Sequence, residues 1–481
     1  MGSAEYIGPN DEVLEAQARI CTGPHQSRPL GKKEGDPRPE RILQLIAQSA
    51  RGELAAAQRV SMAQMGAFFA AMTIRRGFGE KTGWSAAEQE AMAGCRAELE
   101  KCLPSEVLFL LHPEGGYRTT HPGAAQVAAA LGKVLRGQQL DYAETRRSLA
   151  VVLADQVGDA WKAALLIGQR MNLESYDEVR GYLDAVSGAA DVLPLEVDSL
   201  THFGQPFDGA VRYFRPTLFV AAVRAALGRA SVLHGVDEMP PKCGVTEEQI
   251  LRALGARTEG SREEAANAIQ DPEVGFAYLS QRIYAPDAYR LRTLRLHIKK
   301  RPPWATTEKA QQLFSCPHRN YMVVGFYHAG YEEKLLRLLW ERGFDAGMVV
   351  KGEEGSSHYA LRLGQPSTAA RKALNHTRGF RREAGARRDF AADVDPGLLG
   401  FEYPQSPRPE KVSAAAFAAA GMAALAGERG HIYDRIVLNA AMVDYWLGLC
   451  AEAHEAVAQA RAVVDSGRAR AHLQAYIERC K

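Results

Sequence analysis

At 481 residues and a net charge of +2, the chain is long enough for two or three domains and carries no global attraction for a polyanion, so any phosphate or nucleic-acid affinity must come from local clusters. Apolar residues make up 46% and charged residues 24%, which excludes a chiefly disordered protein. The seven cysteines show no CxxC spacing, and no apolar run nears the roughly 20 residues that cross a bilayer; a zinc ribbon and a membrane partner are excluded, and a cytoplasmic protein is expected, or one of an organelle stroma if a targeting segment precedes this sequence.

Residues 1–38 carry Pro9, Pro24, Pro29 and Pro37 without sustained periodicity, which predicts a loosely ordered arm. From Glu40 to Arg76, Ile42, Leu43, Leu45, Ile46, Leu54, Met65, Phe68, Phe69 and Met72 recur at helical spacing, and a second helical stretch runs from Ala124 to Val186. Residues 39–190 therefore read as a helical region with a weak internal repeat, 40–91 against 131–186. In it MAQMGAFFAAMTIR (Met62 to Arg75) rhymes with VGDAWKAALLIGQR (Val157 to Arg170). Duplication and the demands of helix packing explain the rhyme equally well. Between them Val107 to Leu111 reads as a short strand running into the turn His112 to Tyr117.

At Asp191 the pattern changes. VLPLEVDSL reads as an entering strand and THFGQPFDG as a glycine-bearing loop; Thr217 stands at the start of a helix as a cap. Backbone donors at a helix start after such a loop suit a phosphate. Ala230 to Leu233 predict a strand leading to His234-Gly235, then Lys242, Gly244 and a helix from Thr246 to Leu254.

GQPFDG (Gly204 to Gly209), Thr217, LHGVD (Leu233 to Asp237), PPKCG (Pro240 to Gly244) and ALG (Ala253 to Gly255) stand in the order and spacing of VGTGGDG, TFNIST, KHGNR, SSKSG and ALG. On these segments the stretch from about Leu131 to Ile477 resembles the anthranilate phosphoribosyltransferases, glycosyltransferase family 3, related in fold to class II nucleoside phosphorylases. Gly275-Phe276-Ala277, Pro286, Tyr321 to Gly355, Gly427 to Gly448 and Val463 to Leu473 extend the likeness. The resemblance implies an α/β protein: a helical-bundle N-terminal domain and a larger α/β domain, 191–481, with a central mostly parallel sheet flanked by helices. It further implies a homodimer and a tryptophan-biosynthesis-like glycosyl (phosphoribosyl) transferase. Such an enzyme transfers phosphoribose from phosphoribosyl pyrophosphate to an amine, with Mg²⁺, in a cleft between the two domains. Carried over position by position, the candidate phosphate and ligand contacts are Gly204, Asp208, Gly209, Thr217, His234, Gly235, Lys242, Arg295 and Arg301; no catalytic residue is assigned.

The departures fall on the chemistry. Gln205-Pro206-Phe207 replace the inner residues of the diphosphate loop, removing an N–H donor and close backbone approach. The lysine, asparagine and arginine of KHGNR become Leu233, Val236 and Asp237, and the acidic metal pair falls on Ser357-His358, with Glu353 and Glu354 just upstream either as substitute Mg²⁺ ligands or as solvated loop acids. Two basic clusters support an alternative, a catalytically degenerate member holding DNA or RNA without base readout. One comprises Arg292, Arg295, Lys299, Lys300 and Arg301; the other, in a surface loop, includes Arg371, Arg381 and Arg382.

Overall fold

The computed structural model describes residues 8–187, 192–368 and 372–481; Asp191 and Arg371 lie outside the described residues. The chain divides into two units, one comprising the described residues up to Val186 with Arg290–Trp304, the other Ser187–Tyr289 with Ala305–Lys481. The segment 290–304 therefore departs from the expected 191–481 domain.

The first unit is helical: α1 (Asp11–Ile20), α2 (Pro39–Ala50), α3 (Met62–Arg75), α4 (Ala86–Cys102), α5 (Ser105–Leu111), α6 (Pro122–Val134), α7 (Tyr142–Leu153), α8 (Asp159–Met171) and α9 (Tyr176–Val186). The helix α1 lies within the stretch expected to be a loose arm. Asn10 caps it by accepting from the Val13 N–H at 3.1 Å, Val13, Ala16 and Ile20 are buried, and Gln17 donates to the Gln64 carbonyl at 2.9 Å. Its prolines lie before and after the helix, and ten residues are too few to show a period in the sequence. Val107 to Leu111, expected as a strand, is helical in α5, with Leu108 and His112 N–H closing bonds onto Pro104 and Leu108 at 3.0 and 3.2 Å. The two rhyming segments are packing partners: α3 lies on α8 so closely that a Cβ at Gly66 would sit 2.0 Å from the Ala160 carbonyl oxygen. Between α3 and α4, Arg75 donates to both oxygens of Glu88, at 2.7 and 2.9 Å, with both side chains fully buried. The short helix Leu294–Ile298 packs on α3 and α8.

The second unit is built on strands β1 (Leu200–Gly204), β2 (Ala230–Gly235), β3 (Phe276–Ser280), β4 (Asn320–Gly325), β5 (Ala346–Val350), β6 (His376–Glu383) and β7 (Ala386–Asp393). They lie in the order β3-β2-β1-β4-β5-β6-β7; the first five are parallel, and β6 and β7 form an antiparallel hairpin at the edge. His202 in β1 stands opposite Val232 and Met322. Strands β1, β2 and β5, and β3 at the edge, are buried along their whole length, as a parallel sheet covered on both faces requires. The expected entering strand is split: Leu193–Pro194 of VLPLEVDSL pairs with Phe314–Ser315 in a separate two-stranded sheet, and the main strand begins only at Leu200, the last residue of that stretch, and takes the Thr201, His202 and Phe203 expected in the loop. Pro194 lacks the N–H that a longer central strand would need.

The flanking helices are α10 (Thr217–Ala225), α11 (Glu247–Ala253), α12 (Arg262–Gln270), α13 (Tyr331–Glu341), α14 (Ala414–Leu425), α15 (His431–Trp446), α16 (Ala453–Asp465) and α17 (Arg468–Arg479). Arg224 of α10, fully buried, ties helices to sheet: it donates to Asp444 of α15 at 2.8 Å, to Ser231 of β2 at 2.6 Å and to Thr201 of β1 at 2.9 Å. No helix among the described residues is long and apolar enough to cross a membrane.

Candidate functional site

The strand order reverses between β1 and β4, and in open α/β sheets the crevice at the carboxyl ends of such a pair is where ligands settle. Here the chain itself occupies that point. A Cβ at Gly204, the last residue of β1, would lie 1.7 Å from the Lys309 carbonyl oxygen, and the Lys309 ammonium donates to the carbonyl of Gly325, the last residue of β4. The glycine is required by the turn Glu308–Ala310. Beyond it, Gln205 donates from Nε2 to Ser357 Oγ at 2.6 Å, tying the loop after β1 to the loop after β5.

The loop 205–213 is held by its own contacts. Ala210 and Val245 exchange two backbone hydrogen bonds of 2.9 and 2.8 Å, and the Gly244 N–H donates to the Asp208 carbonyl at 2.9 Å. Gly209 has φ +74°, and a Cβ there would meet the Gly244 carbonyl at 2.3 Å, so only glycine lets the two loops approach. Arg215 clamps the loop from below: its guanidinium holds Glu247 with bonds of 2.8 and 2.5 Å and donates to the Pro206 carbonyl at 3.2 Å.

Three successive N–H groups, of Val211, Arg212 and Tyr213, converge at 3.2 Å each on one carboxylate, that of Glu354. Lys242 completes the cradle, its Nζ 3.0 Å from Glu354 Oε1 and 2.6 Å from the Gly209 carbonyl. This is an anion-binding nest with an internal anion in it. Burial pushes the Glu354 carboxyl up, but the Lys242 charge and hydrogen bond and the amides outweigh it and leave the group below its usual range. Burial pulls the Lys242 ammonium down, against Asp208 and Glu354. Glu354 reaches the nest from a left-handed conformation, φ +55°, which costs about 1 kcal/mol for a residue with a Cβ.

Of the residues the sequence singled out, Gly204, Asp208, Gly209, Thr217, His234, Gly235 and Lys242 all belong to the second unit, on or after β1 and β2, whereas Arg295 and Arg301 belong to the first. Thr217 is the first helical residue rather than the cap, which is Pro216; its Oγ1 hydrogen-bonds His358 Nε2 at 2.6 Å. Burial holds His358 neutral, with Arg215, Arg435 and Lys242 adding to the effect. His234 and Gly235 lie inside β2 rather than in a loop after it. The His234 ring makes edge contacts with Phe207 and Tyr284, its nitrogens have no hydrogen-bond partner among the described residues, and burial holds it neutral, down to about 3.

Glu353 and Glu354, expected as Mg²⁺ ligands, are internal counter-ions instead. Glu353 is buried against Arg435 and accepts from Ser406, while Glu354 fills the nest. The positions of the family's acidic pair, Ser357 and His358, are engaged with Gln205 and Thr217. Among the described residues no group of three or more His, Cys, Asp or Glu side chains is placed to hold a metal ion. The residues present do not fit Mg²⁺.

The basic clusters are also largely spoken for. Arg295 is buried and lies 5.7 Å from the Trp304 ring centre; Lys300 donates to the Ala18 carbonyl at 2.7 Å; Lys299 and Arg301 are exposed and Arg292 is half-buried. Arg381 and Arg382 of the second cluster lie in the β6–β7 hairpin, not in a loop. Arg381 donates to the Tyr445 and Trp446 carbonyls at 2.9 Å, and Arg382 stacks 3.9 Å over Trp340.

The sequence offered no motif for the cavity beside Glu354, about 530 Å³, whose lining includes Arg212, Tyr213, Tyr327, Lys351, Arg362 and Lys372. Those residues are spread over 160 positions of chain without periodic spacing.

No protein-family model matches the chain. Among curated proteins it is similar to the anthranilate phosphoribosyltransferase of Myxococcus xanthus, 28% identical over 351 residues that cover 73% of this chain and 97% of that one. That of Moorella thermoacetica is 27% identical over 354 residues, 73% and 97% of the two chains. Among solved structures, anthranilate phosphoribosyltransferase from Thermus thermophilus superposes with a TM-score of 0.57 at 21% identity, over 73% of this chain and 99% of that one. The Saccharomyces cerevisiae protein in complex with phosphoribosyl pyrophosphate and Mg gives 0.58 at 14% identity, over 74% and 98%.

Proposed function

We propose that this chain, anthranilate phosphoribosyltransferase-like in sequence and fold, is a ligand-binding relative of those enzymes that takes a phosphorylated small molecule but does not expel diphosphate from one. The observation that carries the reading is the Glu354 carboxylate seated on the amides of Val211, Arg212 and Tyr213. Departure of diphosphate from a sugar needs preorganised donors aimed at the developing negative charge. Here a nest of such donors is satisfied by a side chain, and the nearby carboxylates are neutralised by Lys242 and Arg435. Transfer to an amine is the second reading, favoured by a match spanning 97% of the Myxococcus chain; it requires Glu354 to leave the nest. Nucleic-acid binding has less support, because Arg295 is buried and Lys300 and Arg381 are tied to backbone carbonyls.

Two measurements test the reading together: diphosphate release from phosphoribosyl pyrophosphate with Mg²⁺ and anthranilate, and thermal unfolding with phosphorylated probes. We expect no release above the protein-free rate and a raised melting temperature with at least one of phosphoribosyl pyrophosphate, inorganic phosphate or a nucleoside monophosphate. Enzyme-dependent release, or no shift with any probe, overturns it.

A further inference from the structure

The cavity beside Glu354 has the makings of a site of its own, and it lies wholly within the second unit. At about 530 Å³ it falls in the range of small-molecule pockets, roughly 300–1,000 Å³. Four cationic side chains contribute to its wall: Arg212 from the loop after β1, Lys351 from the end of β5, and Arg362 and Lys372 from the segment before β6. Two carboxylates also line it, Glu353 and Glu354, but each is neutralised by a cation outside the wall, Arg435 and Lys242. Of the wall cations, Arg212 comes within 3.7 Å of Glu354, and neither Arg362 nor Lys372 forms an ion pair with a carboxylate among the described residues. The wall is therefore positive in balance, and low-dielectric sides concentrate that field.

Two tyrosines supply the other half. Tyr327 is 59% exposed, an unusual setting for a ring of that size; its neighbour His328 makes a T-shaped contact with it at 4.9 Å, and a ring so exposed can take a further planar group. Tyr213 stands among the guanidiniums of Arg212, Arg408 and Arg435, 5.7 to 5.9 Å from its ring centre. Cations for a phosphate beside aromatic faces for a ring are what a nucleotide needs.

We infer that this cavity binds a nucleoside monophosphate, the phosphate held by Arg212, Arg362 and Lys372 and the base stacked on Tyr327. The inference rests on the reading above that the chain binds a phosphorylated small molecule, and it names the class and the place.

The test is titration of the full chain with adenosine monophosphate, guanosine monophosphate, adenosine and inorganic phosphate, followed by calorimetry and thermal unfolding. Either monophosphate should bind more tightly than both adenosine and inorganic phosphate. The double variant R362E/K372E should weaken the monophosphates by about tenfold or more while its unliganded melting temperature stays that of the parent. Tyr327→Ala should weaken the monophosphates and leave inorganic phosphate unchanged. If a monophosphate binds but neither variant alters it, the cavity assignment falls and the general reading stands. If inorganic phosphate binds and neither monophosphate does, the nucleoside class falls. Should Arg362→Glu/Lys372→Glu fail to fold, Tyr327→Ala on the exposed rim still decides: unchanged monophosphate affinity overturns the stacking and with it the proposal.

Discussion

Replacing Glu354 by alanine tests the nest directly. The substitution removes the acceptor of three backbone N–H groups and the counter-ion of Lys242, whose side chain is 15% exposed, where the Glu354 side chain is 5% exposed. Stripping one partner from a buried ion pair costs about 3–5 kcal/mol, because the other charge is left without compensation. For a unit this size each kcal/mol moves the midpoint by about 2 °C, so the melting temperature should fall by about 6–10 °C. Glu354→Gln keeps an accepting oxygen and should lose about half as much. The vacated nest is then an open anion site, and phosphate should restore it: at a hundredfold excess over its dissociation constant, a ligand specific to the native state adds about 2.7 kcal/mol. The assay is thermal unfolding of parent and variant in chloride and in phosphate at equal ionic strength. A variant as stable as the parent, or one that gains no more from phosphate than the parent does, refutes the assignment of Glu354 as the resident anion.

Gly204→Ala should destabilise by several kcal/mol or displace the Glu308–Ala310 turn, since its Cβ would fall 1.7 Å from a backbone oxygen; a parent-like urea midpoint contradicts this. Arg224→Ala should cost about 3 kcal/mol by leaving Ser231, Thr201 and one oxygen of Asp444 without their donor while Arg229 still holds the other oxygen, and Arg224→Lys should recover only part of it, because one ammonium cannot reach Asp444, Ser231 and Thr201 in the guanidinium's geometry. Burial lowers His202 to about 4 in the native state, against an ordinary 6.5. The unfolded chain therefore binds the extra proton first, and stability should fall as pH drops from 6.5 toward 4; His202→Gln should flatten that slope, and a denaturation series across the window that shows the same slope in both proteins rejects the account. Magnesium chloride should leave the melting temperature within about 1 °C of an ionic-strength control, and a Mg²⁺-specific rise would show that Glu353 or Glu354 is available to metal after all.

Order and spacing along the chain were enough to determine the helical N-terminal region, the family likeness, through which the mostly parallel sheet was implied, and the loss of the glycine-rich loop and the acidic pair. These are local properties: a proline where an N–H is needed, or a serine and histidine where two carboxylates belong, can be read one position at a time. The same reading misplaced α5, because a short apolar run looks alike in a strand and in a buried helix, and it missed α1, which has only ten residues to show its period. What only the tertiary structure decided is which charges meet. Glu354 lies 141 residues from Tyr213 in sequence and Asp444 lies 220 from Arg224, yet each pair is in hydrogen-bond contact once the strands stack in register. Lysines and glutamates in a loop look the same in sequence whether solvent or another loop neutralises them. Packing around the sheet turned two expected metal ligands into counter-ions, filled the nest from within, and gathered cations from three separate segments around the cavity beside it.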